Sequence, residues 1–324
     1  MNSSGKWFHV IEAVLAVMVI LMAVAMLMEK NSKQYRKISV VIQDAENTQW
    51  AAFRYGLKMA AQDHKVELVV ASTPNVLTAD EQISTIRREI ELGSDAVIVQ
   101  PVPGEDLEQQ LKRIDKKVPV MLVQCTASME HDQSLFPSVE PDHAAMGRAL
   151  AEELAQDYCG NLSGKTYGIL IKADEPQAMN SRKQGVEEIL QDTGIECSWV
   201  GVDSSAQTGE NPLEKKPEVD IVIALDDNSL IKAAEQAAAN NLHGAVVYGI
   251  GNSMQAAYYL DTGSVECLVV PDEFSVGYQS LTEAAESLRG YFRRMKSRTV
   301  KYTVIRREEL FEKKNQEILF TMSQ

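Results

Sequence analysis

The hydrophobic positions of this chain follow two alternating patterns from residue 37 onward. Residues 38–42 and 66–70 are short apolar runs rich in β-branched residues, which is typical of buried strands. Between them, Phe53, Leu57 and Ala60 recur three or four residues apart, as on one face of an amphipathic helix. The pattern therefore predicts strand, helix and strand in succession.

The same alternation continues to residue 305 in two cycles. Further apolar runs fall at residues 96–99, 118–123, 166–171, 197–202, 221–225, 245–250, 267–270 and 300–305, and the last long helix is predicted over 274–296. Strands that alternate with helices of this length form parallel sheets with helices on both faces. Strands of a sheet that is covered on both faces are apolar on both sides, and the apolar runs of this chain have that character. The sequence predicts an α/β protein of two doubly wound parallel-sheet lobes.

The N-terminal segment is apolar enough to cross a membrane. Residues 13–28 carry no charge, and Glu12 is the only charged residue between positions 10 and 28. At about 1.5 Å per helical residue, this stretch just spans a hydrocarbon core. We expect an uncleaved signal anchor, because the apolar run continues past Ala25. The alternative is a cleaved signal peptide with Ala23-Val24-Ala25 as its cleavage site.

Composition and motifs exclude several function classes. The 324 residues include 32 Lys and Arg against 46 Asp and Glu, so the net charge of −14 disfavours nucleic acid as a partner. Walker A, GxSxG, HExxH and CxxC motifs are absent from the sequence. We therefore predict a protein that is not an enzyme and has no cofactor and no metal site.

Among Cys125, Cys159, Cys197 and Cys267, a bridge between Cys159 and Cys197 is one hypothesis, and free thiols are the other.

Several segments at predicted strand ends, in this order and spacing, resemble one family. They are residues 38–50, 93–101, 118–120, 142–147, 182–185, 224–228, 248–251 and 270–278. Over residues 37–305 the chain resembles the sugar-type, ribose-binding class of periplasmic binding proteins, which is related to the lactose-repressor effector domain. The resemblance implies two lobes that close on a ligand by a hinge motion.

The resemblance also implies three chain crossings between the lobes, near Val139, Val270 and Arg298. Lobe one then comprises residues 37–139 and 271–298. Lobe two comprises residues 140–270 and 299–324, with the C-terminal tail, and residues 1–36 form the signal anchor and linker. The tail from Arg306 either packs on lobe two or serves for docking, and residues 204–217 replace the usual crossover helix by an irregular link.

The resemblance places candidate ligand contacts where strands end, but several differ from the sugar-binding pattern. The usual Asp-Arg pair after the fourth strand reads Gln124-Cys125. A common arginine appears as Asn180, with Arg182 kept. An aspartate position reads Gly251 followed by Asn252, and a glutamine position reads Pro271. The resemblance therefore implies a small polar ligand, a sugar or a sugar-like molecule.

Polar and aromatic residues that follow strands form the candidate site, because ligands of open α/β sheets bind beyond the carboxyl ends of strands. Asn47 is alternatively a helix cap and Trp50 a core residue. One of Asp226 and Asp227 is expected to contact the ligand and the other to cap a helix. We expect replacement of Asp226 to cost affinity rather than stability. The predicted ligand-binding residues are Asn47, Gln49, Trp50, Gln124, Asn180, Arg182, Asp226, Asn252, Asp272 and Glu273.

The predicted function is that of a single-pass plasma-membrane protein with an extracytoplasmic body that binds a small polar ligand. Residues 10–28 are expected to contact the membrane, and a transporter permease or a sensor kinase is the expected partner. The alternative is a cytoplasmic ligand-responsive regulator on the repressor effector fold. Lys and Arg residues are more frequent after the apolar segment than before it, which favours this alternative.

Overall fold

The computed structural model describes residues 35–319 apart from 47, 75–76, 105, 125–135, 173–175, 204–210 and 291–293, and N-terminal to these only Leu15, Met18 and Met22. Residues 1–36 and 37–324 form two separate compact units. Apart from those three residues, the predicted membrane segment lies outside the described part. Within the residues that are described, no helix is both long enough and apolar enough to cross a bilayer.

Two six-stranded sheets organise the unit of residues 37–324. The first has the strand order β11-β5-β4-β3-β1-β2 and is parallel throughout. The second has the order β12-β10-β9-β8-β6-β7, and only its β10–β12 pair is antiparallel. The strands of the first sheet are β1 Lys37–Val41, β2 Glu67–Val70, β3 Ala96–Val99, β4 Val120–Val123, β5 Ser138–Pro141 and β11 Arg298–Val300. Those of the second are β6 Thr166–Lys172, β7 Glu196–Asp203, β8 Ile221–Ala224, β9 Val246–Ile250, β10 Cys267–Pro271 and β12 Tyr302–Arg306.

Helices cover both faces of each sheet and enclose the apolar strands. Strands β3, β4 and β8 are buried at every residue, as expected for a sheet covered on both sides. The helices are α1 Ala51–His64, α2 Ala79–Glu91, α3 Leu107–Asp115, α4 His143–Asp157, α5 Pro176–Leu190, α6 Asp227–Ala238, α7 Met254–Asp261, α8 Glu273–Ser287 and α9 Lys313–Leu319. The prediction of two parallel-sheet α/β lobes is confirmed. We call the first sheet with α1, α2, α3 and α8 lobe one, and the second sheet with the remaining helices lobe two.

At two of the points where the chain crosses from one lobe to the other, the local structure is similar. Strand β5 runs to Pro141, past the predicted crossing near Val139, and Asp142 caps α4 by accepting a hydrogen bond from the Ala145 backbone N–H at 2.9 Å. Strand β10 runs to Pro271, and Asp272 caps α8 by accepting from the Ser275 N–H at 2.9 Å. A third passage joins β11 to β12 through a single residue.

The helix that follows each of these two crossings packs at very short range on the helix that follows the first strand of the same lobe. In lobe one, a Cβ on Gly277 of α8 would overlap the carbonyl oxygen of Phe53 in α1. In lobe two, a Cβ on Gly147 of α4 would overlap the carbonyl oxygen of Arg182 in α5. Glycine is required at both positions because any side chain would collide with a neighbouring backbone.

We expect Gly277→Ala to lower the free energy of unfolding by about 1–3 kcal/mol, because the added methyl group forces α1 and α8 apart. Alanine favours helix more than glycine does, so the loss is due to packing alone. Urea titration of the variant measures it. Gln279→Ala on the same helix is the control, and an equal loss in both variants would contradict this account.

Four further expectations from the sequence can be compared with the structure. The predicted helix over 274–296 ends at Ser287, and Gly290 follows closely, as is common after helix ends. The C-terminal segment packs on lobe two, where Leu310 and Leu319 belong to a buried cluster. The Cys159–Cys197 bridge is wrong, since both thiols are free and exposed. The described part of the link between β7 and β8, residues 211–220, is irregular.

Candidate ligand-binding cleft

Polar side chains from both lobes converge on a small cavity, which we call the deep cavity. Its volume is about 50 Å³. Lobe one contributes Gln49, Trp50, Gln124 and Glu273, and lobe two with its crossing contributes Lys172, Arg182, Asp226, Asp227, Ile250, Gly251, Asn252 and Pro271. Most of these residues follow or end parallel strands, so the two sheets present their carboxyl edges to the same space.

The structure brings together seven of the ten predicted site residues at the deep cavity: Gln49, Trp50, Gln124, Arg182, Asp226, Asn252 and Glu273. Asn180 is exposed on α5 and is not among the residues that line the cavity. Asp272 lies beside the cavity as the cap of α8. Asn47 lies outside the described residues.

Gln124 and Glu273 form a hydrogen-bonded pair on the lobe-one wall. The Gln124 side-chain amide donates to Glu273 Oε2 at 2.7 Å, and only 5% of Glu273 is exposed. Gln124 has a φ of 44°, in the left-handed region that residues other than glycine rarely adopt. Such backbone strain is concentrated at functional sites, where the surrounding structure maintains it.

Arg182 is held in a fixed orientation within lobe two. Its Nη1 donates to the Leu225 carbonyl oxygen at 2.5 Å, and its Nε donates to His143 Nδ1 at 3.2 Å. Only 7% of the residue is exposed. A guanidinium group fixed in this way is oriented before any ligand arrives, which lowers the entropic cost of binding.

His143 was not predicted from the sequence, and it orients Arg182. Because Nδ1 accepts from Arg182, the ring carries its proton on Nε2, which is buried without a hydrogen-bond partner. Burial, together with the positive charges of Arg182 and Lys172, holds the pKa of His143 well below its ordinary value. The histidine is therefore neutral in the folded protein at neutral pH.

We expect stability to fall as the pH drops below the ordinary histidine pKa. The unfolded chain takes up a proton on His143 near pH 6.5, whereas the folded protein does not until the pH is far lower. Between about pH 6.5 and pH 5 this difference removes up to about 2 kcal/mol of unfolding free energy. Urea titrations across this range measure the slope. His143→Asn cannot titrate and should flatten the slope, and an unchanged slope in that variant would contradict the assignment.

Asp226 and Asp227 both have structural partners. Asp226 caps α6: it accepts from the Ser229 N–H at 3.0 Å, the Ser229 hydroxyl at 2.6 Å and the Lys172 N–H at 2.8 Å. Burial raises the pKa of Asp226, although these bonds and the charge of Lys172 oppose the shift. Asp227 Oδ1 accepts from the N–H groups of Asn252 and Ser253, both at 2.9 Å. The expectation that one of the two caps a helix is confirmed by Asp226, and contact of either carboxylate with a ligand stays a prediction.

Trp50 lies at the edge of the lobe-one core, where only 3% of it is exposed. Its indole N–H donates to the Gln43 carbonyl oxygen at 3.0 Å, and its ring packs edge-on against Phe53 with centroids 5.4 Å apart. These contacts favour the core interpretation, although the ring also borders the deep cavity. Stacking of a ligand on Trp50 stays a prediction.

Lys172 is the cavity residue that the sequence reasoning missed. It is the last residue of β6, so the rule that selected the other strand-end residues applies to it as well. The apolar run at residues 166–171 predicts a strand that ends one residue before Lys172. A polar residue directly after such a run is the signal that identifies this position.

A larger space, the outer groove, adjoins the deep cavity and has a volume of about 870 Å³. The two spaces share Gln49, Asp227, Asn252, Pro271 and Glu273. The outer groove is also lined by Ala52, Asp272 and Phe274 from lobe one and by Asn228, Ile231, Ser253, Met254, Gln255, Lys314, Ile318 and Leu319 from lobe two.

Comparison with known families decides the classification of the chain. A family model described as periplasmic binding protein domain matches residues 38–291. The chain belongs to this family. The resemblance inferred from the sequence is thus confirmed, and so is the prediction of a binding protein rather than an enzyme.

Solved structures of sugar-binding proteins share the fold. A glucose-galactose binding protein from Geobacillus stearothermophilus is 21% identical, with a TM-score of 0.71 over 86% of this chain and 100% of that one. A carbohydrate-transporter solute-binding protein from Agrobacterium radiobacter, in complex with D-arabinose, is 17% identical, with a TM-score of 0.76 over 89% and 100%. The Caulobacter myo-inositol binding protein, bound to myo-inositol, is 20% identical, with a TM-score of 0.70 over 87% and 97%. The comparison with curated proteins gives no match.

Proposed function

We propose that this protein is an extracytoplasmic solute-binding protein whose two lobes close on a small polar ligand of the sugar type. The observation that carries the proposal is the deep cavity, where hydrogen-bonding side chains of both lobes face one small space in a chain of the binding-protein family. The solved neighbours that hold D-arabinose and myo-inositol support a polyhydroxylated ligand.

The size of the deep cavity supports a cycle of opening and closure. A space of about 50 Å³ is far below the roughly 300–1,000 Å³ of ordinary ligand pockets. A sugar therefore needs the lobes to be further apart than in this structure, most of all on entry and to a smaller extent once it is held. A ligand that contacts Gln124 and Glu273 on one side and Arg182 on the other gains its full set of bonds only in the closed state, so it shifts the equilibrium towards closure.

A thermal-shift screen followed by calorimetry tests the proposed ligand class. Aldoses, ketoses and cyclitols form the test set, and amino acids form the comparison set. A true ligand at 100 times its Kd stabilises the folded protein by about 2.7 kcal/mol, which appears as a clear rise in Tm. Stabilisation by amino acids alone would overturn the sugar proposal.

The N-terminal segment supports the further proposal that the protein stays anchored in the plasma membrane with its body outside the cytoplasm. We expect the mature protein to keep Met1 and to remain in the membrane fraction after high-salt washing. A soluble form that begins near Met26 would instead identify a cleaved signal peptide. Protection of the body from external protease in cells whose outer layers are removed would favour the cytoplasmic regulator.

The membrane partner is proposed to be a transporter permease or a sensor kinase. An anchored receptor diffuses only in the membrane plane, which suits reporting to a neighbouring sensor. Deletion of the gene separates the two cases. Loss of ligand uptake identifies transport, whereas intact uptake with loss of a ligand-induced transcriptional response identifies sensing.

A further inference from the structure

Each wall of the outer groove is held in place by the packing of its own lobe. Helix α9 is held on lobe two by Leu310 and Leu319 in the buried cluster and by the Asn315 side-chain amide, which donates to the Glu309 carbonyl oxygen at 2.8 Å. This anchoring fixes Ile318 at the groove wall. On the opposite wall, the Phe274 ring lies between Tyr55 and Tyr278, with centroid distances of 5.7 and 5.9 Å.

The surface of the outer groove is largely apolar. Met254, which is 57% exposed, lines the groove and offers its apolar side chain for contact. Ala52, Ile231, Phe274 and Ile318 complete the apolar walls. An apolar group placed between them is removed from water on both of its faces.

Three carboxylates line the outer groove, and each accepts hydrogen bonds from the protein itself, Glu273 from the Gln124 side-chain amide at 2.7 Å. Asp272 accepts from the Ser275 N–H at 2.9 Å and from the Ser275 hydroxyl at 2.6 Å. Asp227 accepts from the Asn252 and Ser253 N–H groups, both at 2.9 Å. A second sugar ring needs several acceptors for its hydroxyl groups, and three of the four oxygens of these two carboxylates already accept hydrogen bonds from the protein. The groove therefore suits an apolar substituent better than a second sugar.

From these observations we infer that the outer groove binds the apolar part of a ligand whose polar part occupies the deep cavity. The ligand class is a sugar that carries an aryl or alkyl substituent, such as a glycoside with an apolar aglycone. The five residues shared by the two spaces make them continuous, so one molecule reaches both. The inference rests on the proposed function, since it assumes that the deep cavity takes the sugar.

Matched glycosides test the inference by calorimetry on the purified body. The probes are D-glucose, D-galactose and D-arabinose, each as the free sugar, the methyl glycoside and the 4-nitrophenyl glycoside. For the sugar that binds, we expect the 4-nitrophenyl glycoside to have a Kd at least about tenfold below that of the methyl glycoside, because the ring buries apolar surface. Met254→Asp should abolish this preference and leave the Kd of the free sugar within about twofold, since it alters only the outer groove.

Phe311→Asp is the matched control, because Phe311 is 61% exposed close to α9 but does not line the groove. It should leave the preference intact. Equal or weaker binding of the nitrophenyl glycosides, while free sugars bind, overturns the inference and leaves the proposed function standing. Tighter binding of lactose or maltose, without a nitrophenyl preference, overturns it in favour of a second sugar ring. If none of these probes and no aldose, ketose or cyclitol of the thermal-shift screen binds, the proposed function fails and the inference fails with it.

Discussion

Arg182→Met is expected to weaken ligand binding by about 10- to 150-fold, because hydrogen bonds made by a charged group contribute about 1.5–3 kcal/mol each. The guanidinium lines the deep cavity, and its bonds to His143 and Leu225 fix its direction before the ligand arrives. Calorimetry with the sugar identified by the screen measures the change in Kd. The unfolding free energy of the variant must be measured as well, because the same bonds join α4, α5 and the end of β8.

Asn180→Ala is the matched control for this experiment. Asn180 lies two positions away on the same helix but is exposed and does not line the cavity. We expect its replacement to leave the Kd unchanged. If Asn180→Ala weakens binding as much as Arg182→Met does, then α5 meets the ligand through a different face and the placement of the site is wrong.

Asp226→Ala is expected to lower the free energy of unfolding by about 3 kcal/mol. The change removes the cap of α6 and leaves the buried N–H of Ser229, its hydroxyl and the N–H of Lys172 without their acceptor. These bonds contradict the earlier reason for expecting little loss of stability, namely that a cleft residue has no part in the core, whereas the effect of Asp226 on affinity stays a prediction. Urea titration measures the loss.

Asp226→Asn separates capping from charge. Asparagine caps helices as well as aspartate does and keeps one oxygen for the Ser229 N–H, but its amide cannot accept from the Lys172 N–H. We expect a loss between those of the wild type and the alanine variant. An alanine variant as stable as the wild type would show that Asp226 is not a structural cap.

The sequence was most informative where one physical signal dominated. The apolar runs at 96–99 and 221–225 predicted strands because few other structures bury both sides of so short a segment. In a parallel sheet the carboxyl ends of the strands lie at one edge. Polar residues that follow strands could therefore be assigned to a common site before any side-chain contact was known. Both inferences depend on local pattern and on the topology of parallel sheets.

Where two roles share one residue type, the sequence could not separate them. Trp50 follows a strand in either case, and only its bond to Gln43 and its packing on Phe53 assign it to the core edge. The positive φ of Gln124 leaves no trace in the sequence, since glutamine has no preference for it. The groove wall formed by Ile318 depends on how the tail packs, which apolar residues scattered among charges do not specify.

The Pro-Asp ends of β5 and β10, each followed by a glycine-mediated helix contact, have a mechanical consequence. At Gly147 and at Gly277, the helix that follows each crossing packs so closely on its neighbour that the lobe can hardly deform along this contact. We expect the flexibility between the lobes to be concentrated instead in the short passages at Asp142, Asp272 and Lys301. We therefore expect the proposed closure to rotate each lobe as a stiff unit about these passages, with little change inside either lobe.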